Sequence, residues 1–174
     1  MNKYIIEIIE RISLANSLEA KSQAYLDLQG IIEIYTITNF SENWDKDYLL
    51  MFSNSKYLDL KLSDFEFDFI NNYLFYNAIA IKDVEEIYYN ALCIKVLFRC
   101  SNVLAICNLI RLYYPLNIDS IISTLLSAIC NMYADGSYLE IEDVKDILIL
   151  LRDTELQSTK EKIDFIFKNY GKIV

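Results

Sequence analysis

Apolar residues recur along most of the chain at the three- and four-residue intervals that place side chains on one face of an α-helix. The first such segment, residues 3–14, carries Glu7, Glu10 and Arg11 on the side opposite its apolar residues. The apolar side comprises Tyr4, Ile5, Ile8, Ile9 and Ile12. This segregation predicts an amphipathic helix with one buried face.

Helix start and stop residues divide the rest of the chain into further segments. Ser17 is suited to cap a helix that reaches about Thr38, and Pro115 is expected to stop another. The Ser-x-x-Glu spacing of a capping box occurs at Ser63 and again at Ser158. The predicted helices after residue 14 cover about 17–38, 44–52, 64–77, 83–100, 102–114, 117–133, 140–152 and 158–170. Residues 58–62 alternate like a strand, but no second strand is predicted near them, so they are interpreted as a linker.

These elements predict an all-α fold with eight or nine helices in one domain, residues 1–174. The arrangement is expected to be an irregular bundle or a short stack of antiparallel helix pairs. The chain contains only three glycines and one proline, and 54 % of its residues are hydrophobic. A sheet would need more turn residues, and a disordered chain would have fewer apolar ones.

Histidine is absent from the sequence, and with it the usual base of nucleophilic catalysis and a common zinc ligand. No glycine-rich phosphate loop is present either. Catalysis by carboxylates, tyrosine or lysine would require a pocket, which sequence does not define. The chain is therefore predicted not to be an enzyme, with no catalytic residue, metal or cofactor.

Two features of the sequence have some of the character of metal sites: a series of cysteines and one acidic turn. Cys93, Cys100 and Cys107 recur at seven-residue intervals, which on one helix separates them by about 10 Å, too far to share an ion. They are expected to be small buried residues, joined in the core by Cys130. The segment 131–142 resembles part of an EF-hand loop, but Tyr133 stands where a carboxylate is required. It is interpreted as a helix–turn–helix with Gly136 as a cap.

The overall charge restricts the kinds of partner. The net charge is −9, which disfavours direct contact with nucleic acid or with anionic membranes. Residues 1–7 lack a secretory h-region, and no apolar run approaches the roughly 18 residues of a membrane span. A cytoplasmic location with reduced thiols is expected.

The acidic residues are concentrated in the first half of the chain. Between Glu42 and Glu86 there are ten acids and four lysines, and aromatic residues lie among them. Acids at helix starts stabilise the helix dipole, which explains their position but not the shortage of bases. Carboxylates with tyrosine and tryptophan suit an interface for a cationic protein. The candidate partner-binding residues are Glu42, Trp44, Asp45, Asp47, Asp64, Glu66, Asp68, Tyr73, Asp83, Glu85 and Glu86.

A small acidic helical protein with this profile resembles the immunity proteins of bacterial toxin systems, including those of contact-dependent growth inhibition. The resemblance covers the whole chain as a profile and carries no diagnostic motif. It implies a cytoplasmic protein that binds and neutralises a cognate toxin domain, commonly a basic nuclease. The carboxylates of residues 42–86 would then fill the phosphate-binding cleft of the toxin or bind beside it.

Two other functions are compatible with the same features. A viral Bcl-2-like regulator is also a helical domain rich in isoleucine, asparagine and tyrosine, and it would bind an amphipathic helix in an apolar groove. A helical-repeat scaffold without a toxin partner is the third interpretation, although the chain shows no regular repeat.

Overall fold

The structure is a computed structural model, and it describes residues 1–40, 57, 59–97, 102–134 and 142–170. Within these residues there are eight α-helices, one 3₁₀ turn and no β-strand, so the predicted all-α class is confirmed. The α-helices are α1 (Lys3–Leu14), α2 (Leu18–Phe40), α3 (Asp64–Ala80), α4 (Val84–Val96), α5 (Val103–Tyr113), α6 (Asp119–Ala134), α7 (Glu142–Leu151) and α8 (Gln157–Tyr170).

The chain divides into two compact units, and each is described by itself. Unit 1 is Met1–Leu97 with helices α1 to α4, and unit 2 is Phe98–Val174 with helices α5 to α8. The expectation that the 174 residues form one domain stays a prediction. The predicted helix over 44–52 and the Gly136 cap fall outside the described residues.

Helix α2 is the centre of unit 1, where it packs against both α1 and α4. Its buried residues lie on more than one side because it has neighbours on more than one side. They include Ala24, Tyr25, Leu28, Ile31 and Ile32. Helix α1 contributes Ile5, Ile8 and Ile12 to the same core, as its amphipathic pattern predicts.

The helix starts of unit 1 follow the sequence closely. The Ser63 side chain accepts a hydrogen bond from the Glu66 backbone, and the Glu66 carboxylate accepts one from the Ser63 backbone, so the first predicted capping box is confirmed. Asp83 caps α4 by accepting from the Glu86 N–H at 2.9 Å. Ser17 accepts from the Ala20 N–H at 3.2 Å at the start of α2. Each cap satisfies a backbone donor that would otherwise lack a partner.

Helix α6 is the centre of unit 2 and packs against α5 and α8. Residues 121–129 are all buried. The hydroxyls of Ser123 and Ser127 donate to the Ser120 and Ser123 carbonyl oxygens of the preceding turn, so these polar side chains are accommodated without an outside partner. Ahead of α6, helix α5 ends at Tyr113 and a 3₁₀ turn contains Pro115, as predicted.

The second predicted capping box is wrong. Helix α8 begins at Gln157, one residue before Ser158, so Ser158 cannot act as the residue that caps it. The carboxylate of Asp119, at the start of α6, instead accepts from the Ser158 and Thr159 N–H groups at 2.7 and 2.8 Å. A tertiary contact thus supplies the acceptor that the local pattern assigned to Ser158.

The cysteines with seven-residue spacing lie on more than one helix. Helix α4 ends at Val96 rather than near residue 100, and α5 begins at Val103. Cys93 and Cys107 therefore lie on different helices and in different units, while Cys100 is outside the described residues. Both are buried, as expected of small apolar residues, whereas Cys130 is half-buried. Burial raises the pKa of the Cys93 thiol, and raises that of Cys107 to about 11.

Candidate partner-binding surface

Helix α3 has one face inside unit 1 and one face in solvent. Its buried residues are Phe67, Ile70, Leu74 and Ala78, which lie on the side facing the core. The ring of Phe67 stacks on Tyr35 of α2 with 4.3 Å between centroids. Asn77 donates to the Tyr25 hydroxyl at 2.8 Å. These contacts fix the rotation of α3 about its axis and hence define the opposite face.

The opposite face of α3 is largely apolar. It carries residues spaced by four, three, four and three positions, which we call the α3 stripe: Phe65, Phe69, Asn72, Tyr76 and Ile79. The exposed fractions are 71 % for Phe65, 80 % for Tyr76 and 71 % for Ile79. At 1.5 Å per residue the stripe is about 21 Å long. Phe69 is half-buried and Asn72 is exposed and polar, so the exposed apolar side chains lie toward the two ends of the stripe. Large apolar side chains aligned in solvent along one helix face mark an interaction surface more often than scattered single residues do.

The acids at the start of α3 have different roles. Asp64 and Asp68 are exposed, and Asp64 also accepts from the Tyr35 hydroxyl at 2.8 Å. Glu66 is engaged in the fold, since it accepts from both the backbone and the hydroxyl of Ser63 and from the Asn2 N–H. Hydrogen bonds from the Ser63 backbone and side chain hold the pKa of Glu66 below its usual value. Asp64 and Asp68 are therefore the acids of this group that are available to a partner.

Of the acids at the start of α4, one is buried in unit 1 and two are exposed. Glu86 is only 9 % exposed; it binds the Lys21 Nζ at 2.9 Å and accepts from the Tyr25 hydroxyl at 3.3 Å. Burial, and then the nearby Glu86 charge, raise the pKa of Tyr25. Asp83 is exposed but caps the helix, and Glu85 is exposed. Glu86 is thus part of the interior of unit 1 rather than of its surface.

The structure separates these two acidic groups instead of uniting them. Helix α3 runs from Asp64 to Ala80, and α4 begins only at Val84, so the groups lie at opposite ends of α3. The length of the helix places them about 24 Å apart. This is about three times the distance over which charges are screened at physiological salt. Each group would therefore contact a partner as a separate feature.

The remaining predicted residues are not on the α3 stripe. Tyr73 is half-buried, its hydroxyl lies 3.5 Å from that of Ser13, and burial raises its pKa. It thus faces α1 instead of the exposed side of α3. Glu42, Trp44, Asp45 and Asp47 lie outside the described residues.

A cleft lies near the link between α3 and α4. It has a volume of about 370 Å³, and its lining includes Lys21, Asn77, Lys82 and Glu86. The Lys21 ammonium is already paired with Glu86. This polar lining differs from the apolar groove that a Bcl-2-like regulator requires.

Sequence reasoning missed the α3 stripe, although its spacing is visible in the sequence. Helix α3 carries two overlapping apolar patterns, and the one that contains Phe67, Ile70 and Leu74 is sufficient to predict a buried face. Nothing in the spacing says which pattern faces the core. The signal that could have found the stripe is the excess of large apolar residues over what one buried face needs.

Comparison with protein-family models, with curated proteins and with solved structures finds no match to this chain. Among the described residues, no helix combines the length and the apolar character needed to cross a membrane. In the same part of the chain, no three cysteine or acidic side chains are grouped so that they could hold a metal ion.

Proposed function

We propose that this chain is an immunity-type protein that binds and neutralises a basic toxin domain in the cytoplasm, and that the exposed side of α3 contributes to the interface. The observation that carries the proposal is the α3 stripe beside the exposed acids Asp64 and Asp68. Large side chains that are already exposed in the free protein can enter pockets of a partner at little cost of rearrangement.

The two kinds of side chain would have different roles in binding. Aromatic residues near the centre of an interface commonly supply most of the binding free energy, and Phe65 and Tyr76 are suited to that role. Charged residues at the rim mainly accelerate association and select partners of opposite charge. Asp68 occupies such a rim position, since it immediately precedes Phe69 and flanks the α3 stripe, whereas Asp64 lies farther from the stripe, toward Tyr35.

The charge of unit 1 supports a cationic partner. Residues 1–97 contain 15 acidic and 8 basic residues, a net charge of −7, whereas residues 98–174 contain 10 and 8, a net charge of −2. A negative surface attracts a cationic partner and raises its association rate at low salt. A nuclease, which must bind phosphates, presents such a cationic surface.

The direct test is rescue of bacterial growth. A toxin domain encoded by a gene adjacent to that of this chain would be expressed from an inducible promoter, with and without the chain. Growth with the chain present supports the proposal. Failure of rescue with both proteins expressed, or a source genome without an adjacent toxin gene, would contradict it.

Variants then locate the interface within the rescue assay. Tyr76→Ser and Phe65→Ser should weaken rescue, because each removes an exposed anchor without disturbing the core. Leu14→Ser is the matched control, since Leu14 is 74 % exposed in the same unit but lies on α1. Equal rescue by all three variants would show that the exposed side of α3 is not part of the interface.

Salt dependence tests the charge part of the proposal. The association rate with the purified toxin domain, measured by stopped-flow fluorescence, should fall steeply as salt rises, because screening removes long-range attraction. Asp64→Asn combined with Asp68→Asn should reduce this salt dependence. A rate that does not change with salt would argue against a charge-guided partner.

A further inference from the structure

We infer that the α3 stripe is a docking face for one amphipathic helix with basic flanks, supplied by the partner protein. This inference rests on the proposed function as a protein-binding module and specifies the structure and charge of what is bound. The toxin interface would then include a helix lying along α3, rather than a loop inserted between helices.

The spacing of the stripe fits a helical occupant. Phe65, Phe69, Asn72, Tyr76 and Ile79 follow the alternating four- and three-residue intervals of a heptad seam. Such a seam keeps its residues in line along the helix, so a second helix crossing at a small angle can contact all of them. The length of about 21 Å corresponds to two heptads. A loop or an extended strand would match this spacing less well, because side chains in a strand alternate every two residues.

The charges beside the stripe define the flanks of the occupant. Asp64 and Asp68 lie on one side of the stripe, and no lysine or arginine occurs from Ser63 to Ile81. In heptad terms Asp68 is a flanking position next to Phe69, where pairs of opposite charge select the partner helix. A basic residue on the occupant is complementary to it. Asn72 at the seam favours a polar residue opposite, which would set the register.

A second copy of this chain fits the stripe less well. Two copies would each bring a net charge of −9, and α3 has no base to pair with the Asp68 of the other copy. Repulsion between like-charged molecules disfavours such a dimer. The cationic helix is therefore the occupant to which the observed charges point.

The test uses the full-length protein and three synthetic 21-residue peptides. The first has leucine at the seam positions, one asparagine to match Asn72, and lysine at the flanks. The second replaces those lysines with glutamate, and the third is a scrambled version of the first with the same charge. Binding is measured by fluorescence anisotropy at physiological salt. The basic heptad peptide should bind at least about tenfold more tightly than the scrambled peptide, since aligning one or two anchors for burial gives a factor of this size. It should also bind more tightly than the glutamate peptide, whose flanking charges repel Asp68.

Variants connect this binding to the stripe. Tyr76→Ser and Phe65→Ser should each weaken the basic heptad peptide about tenfold, which is the effect of losing one buried large side chain. Leu14→Ser should leave its Kd unchanged. Circular dichroism and urea unfolding of each variant establish that the fold is retained, so a loss of binding reports on the surface.

Several results would overturn the inference. These are equal binding of the basic heptad and scrambled peptides, absence of binding, or a Kd unaffected by Tyr76→Ser. A dimer in sedimentation that dissociates with Tyr76→Ser would assign the stripe to a second copy. Protection of Phe65 and Tyr76 from hydroxyl-radical labelling in the free monomer would assign it to another part of this chain.

The toxin assay distinguishes failure of this inference from failure of the proposed function. Toxin rescue that persists with Tyr76→Ser, alongside no peptide binding, rejects the helical occupant but retains the immunity function. Peptide binding that depends on Tyr76, in a chain that neither binds nor neutralises the toxin, rejects the immunity function and retains the docking face.

Discussion

Helices α3 and α6 both carry many large apolar residues, but of the two only α3 leaves some of them in solvent. Helix α6 is enclosed by its neighbours, and residues 121–129 are all buried. Helix α3 is buried along Phe67, Ile70, Leu74 and Ala78 but leaves Phe65, Tyr76 and Ile79 in solvent. A helix that is apolar all round is normally an interior helix. In α3, the second apolar face is therefore unexplained by the packing of unit 1 and available for another function.

The largest difference in unfolding free energy is expected between a substitution at a buried residue of α6 and one at an exposed residue of α3. Leu126→Ala removes a fully buried side chain and should lower the free energy of unfolding by about 2–5 kcal/mol. Tyr76→Ala should change it by at most about 0.5 kcal/mol, because its ring is already in solvent. Urea unfolding followed by circular dichroism measures both values. Comparable losses would mean that the exposed face of α3 is packed in solution.

Two adjacent acids of α4 provide the next test. Glu86→Gln replaces the carboxylate that pairs with Lys21 and accepts a hydrogen bond from the Tyr25 hydroxyl. It should lower the free energy of unfolding by about 2 kcal/mol. Glu85→Gln is the matched control, with an expected change within about 0.5 kcal/mol because Glu85 is exposed. The same urea experiment applies. Equal effects of the two substitutions would contradict the assignment of Glu86 to the interior.

Asp119 should show a smaller and pH-dependent effect. Asp119→Ala removes the acceptor for two N–H groups at the start of α8 and should cost about 1 kcal/mol at neutral pH. Burial tends to raise the pKa of Asp119, but hydrogen bonds from Thr159 and Ser158 outweigh it and lower the pKa. A carboxylate with a lowered folded-state pKa stabilises the protein above its unfolded value of about 3.9, and this contribution disappears as the pH falls through the folded-state value.

The measurement is the difference in unfolding free energy between the native protein and Asp119→Ala, from about pH 6 down to about pH 2. The difference should be constant near neutrality and shrink below about pH 4. Asp164→Ala, at an exposed position of α8, serves as the control. A difference that does not depend on pH would show that the ionised carboxylate is not what caps α8.

The smallest effect on stability is expected at Asp68. Asp68→Asn removes an exposed charge in the second turn of α3, beyond the first turn that the helix dipole stabilises, and should change the unfolding free energy by at most about 0.5 kcal/mol. Its effect on the rate of association with a basic partner should be larger, because that rate depends on long-range charge. Stopped-flow kinetics and urea unfolding compare the two quantities. A rate unchanged from that of the native protein would remove Asp68 from the proposed interface.

Local patterns were sufficient for much of the fold. The amphipathic repeat of residues 3–14, the Ser63–Glu66 capping box and Pro115 each depend on residues within a few positions of one another, and each prediction is confirmed. The predicted Ser158 cap is wrong because the helix begins at Gln157, and Asp119, 39 residues away, accepts from the Ser158 N–H group. Such an acceptor is supplied by the packing of α6 against α8.

The candidate site shows the same division. The sequence identified acids at the starts of α3 and α4, but it could not tell Glu85 from Glu86. Periodicity and capping residues predicted that these acids lie at helix starts, since both signals are local in the sequence. Which acid is buried, and how far apart the two groups lie, depends on the neighbours of each helix. The tertiary structure alone decided that α3 presents a second apolar face to solvent, because exposure depends on the elements that do or do not cover it.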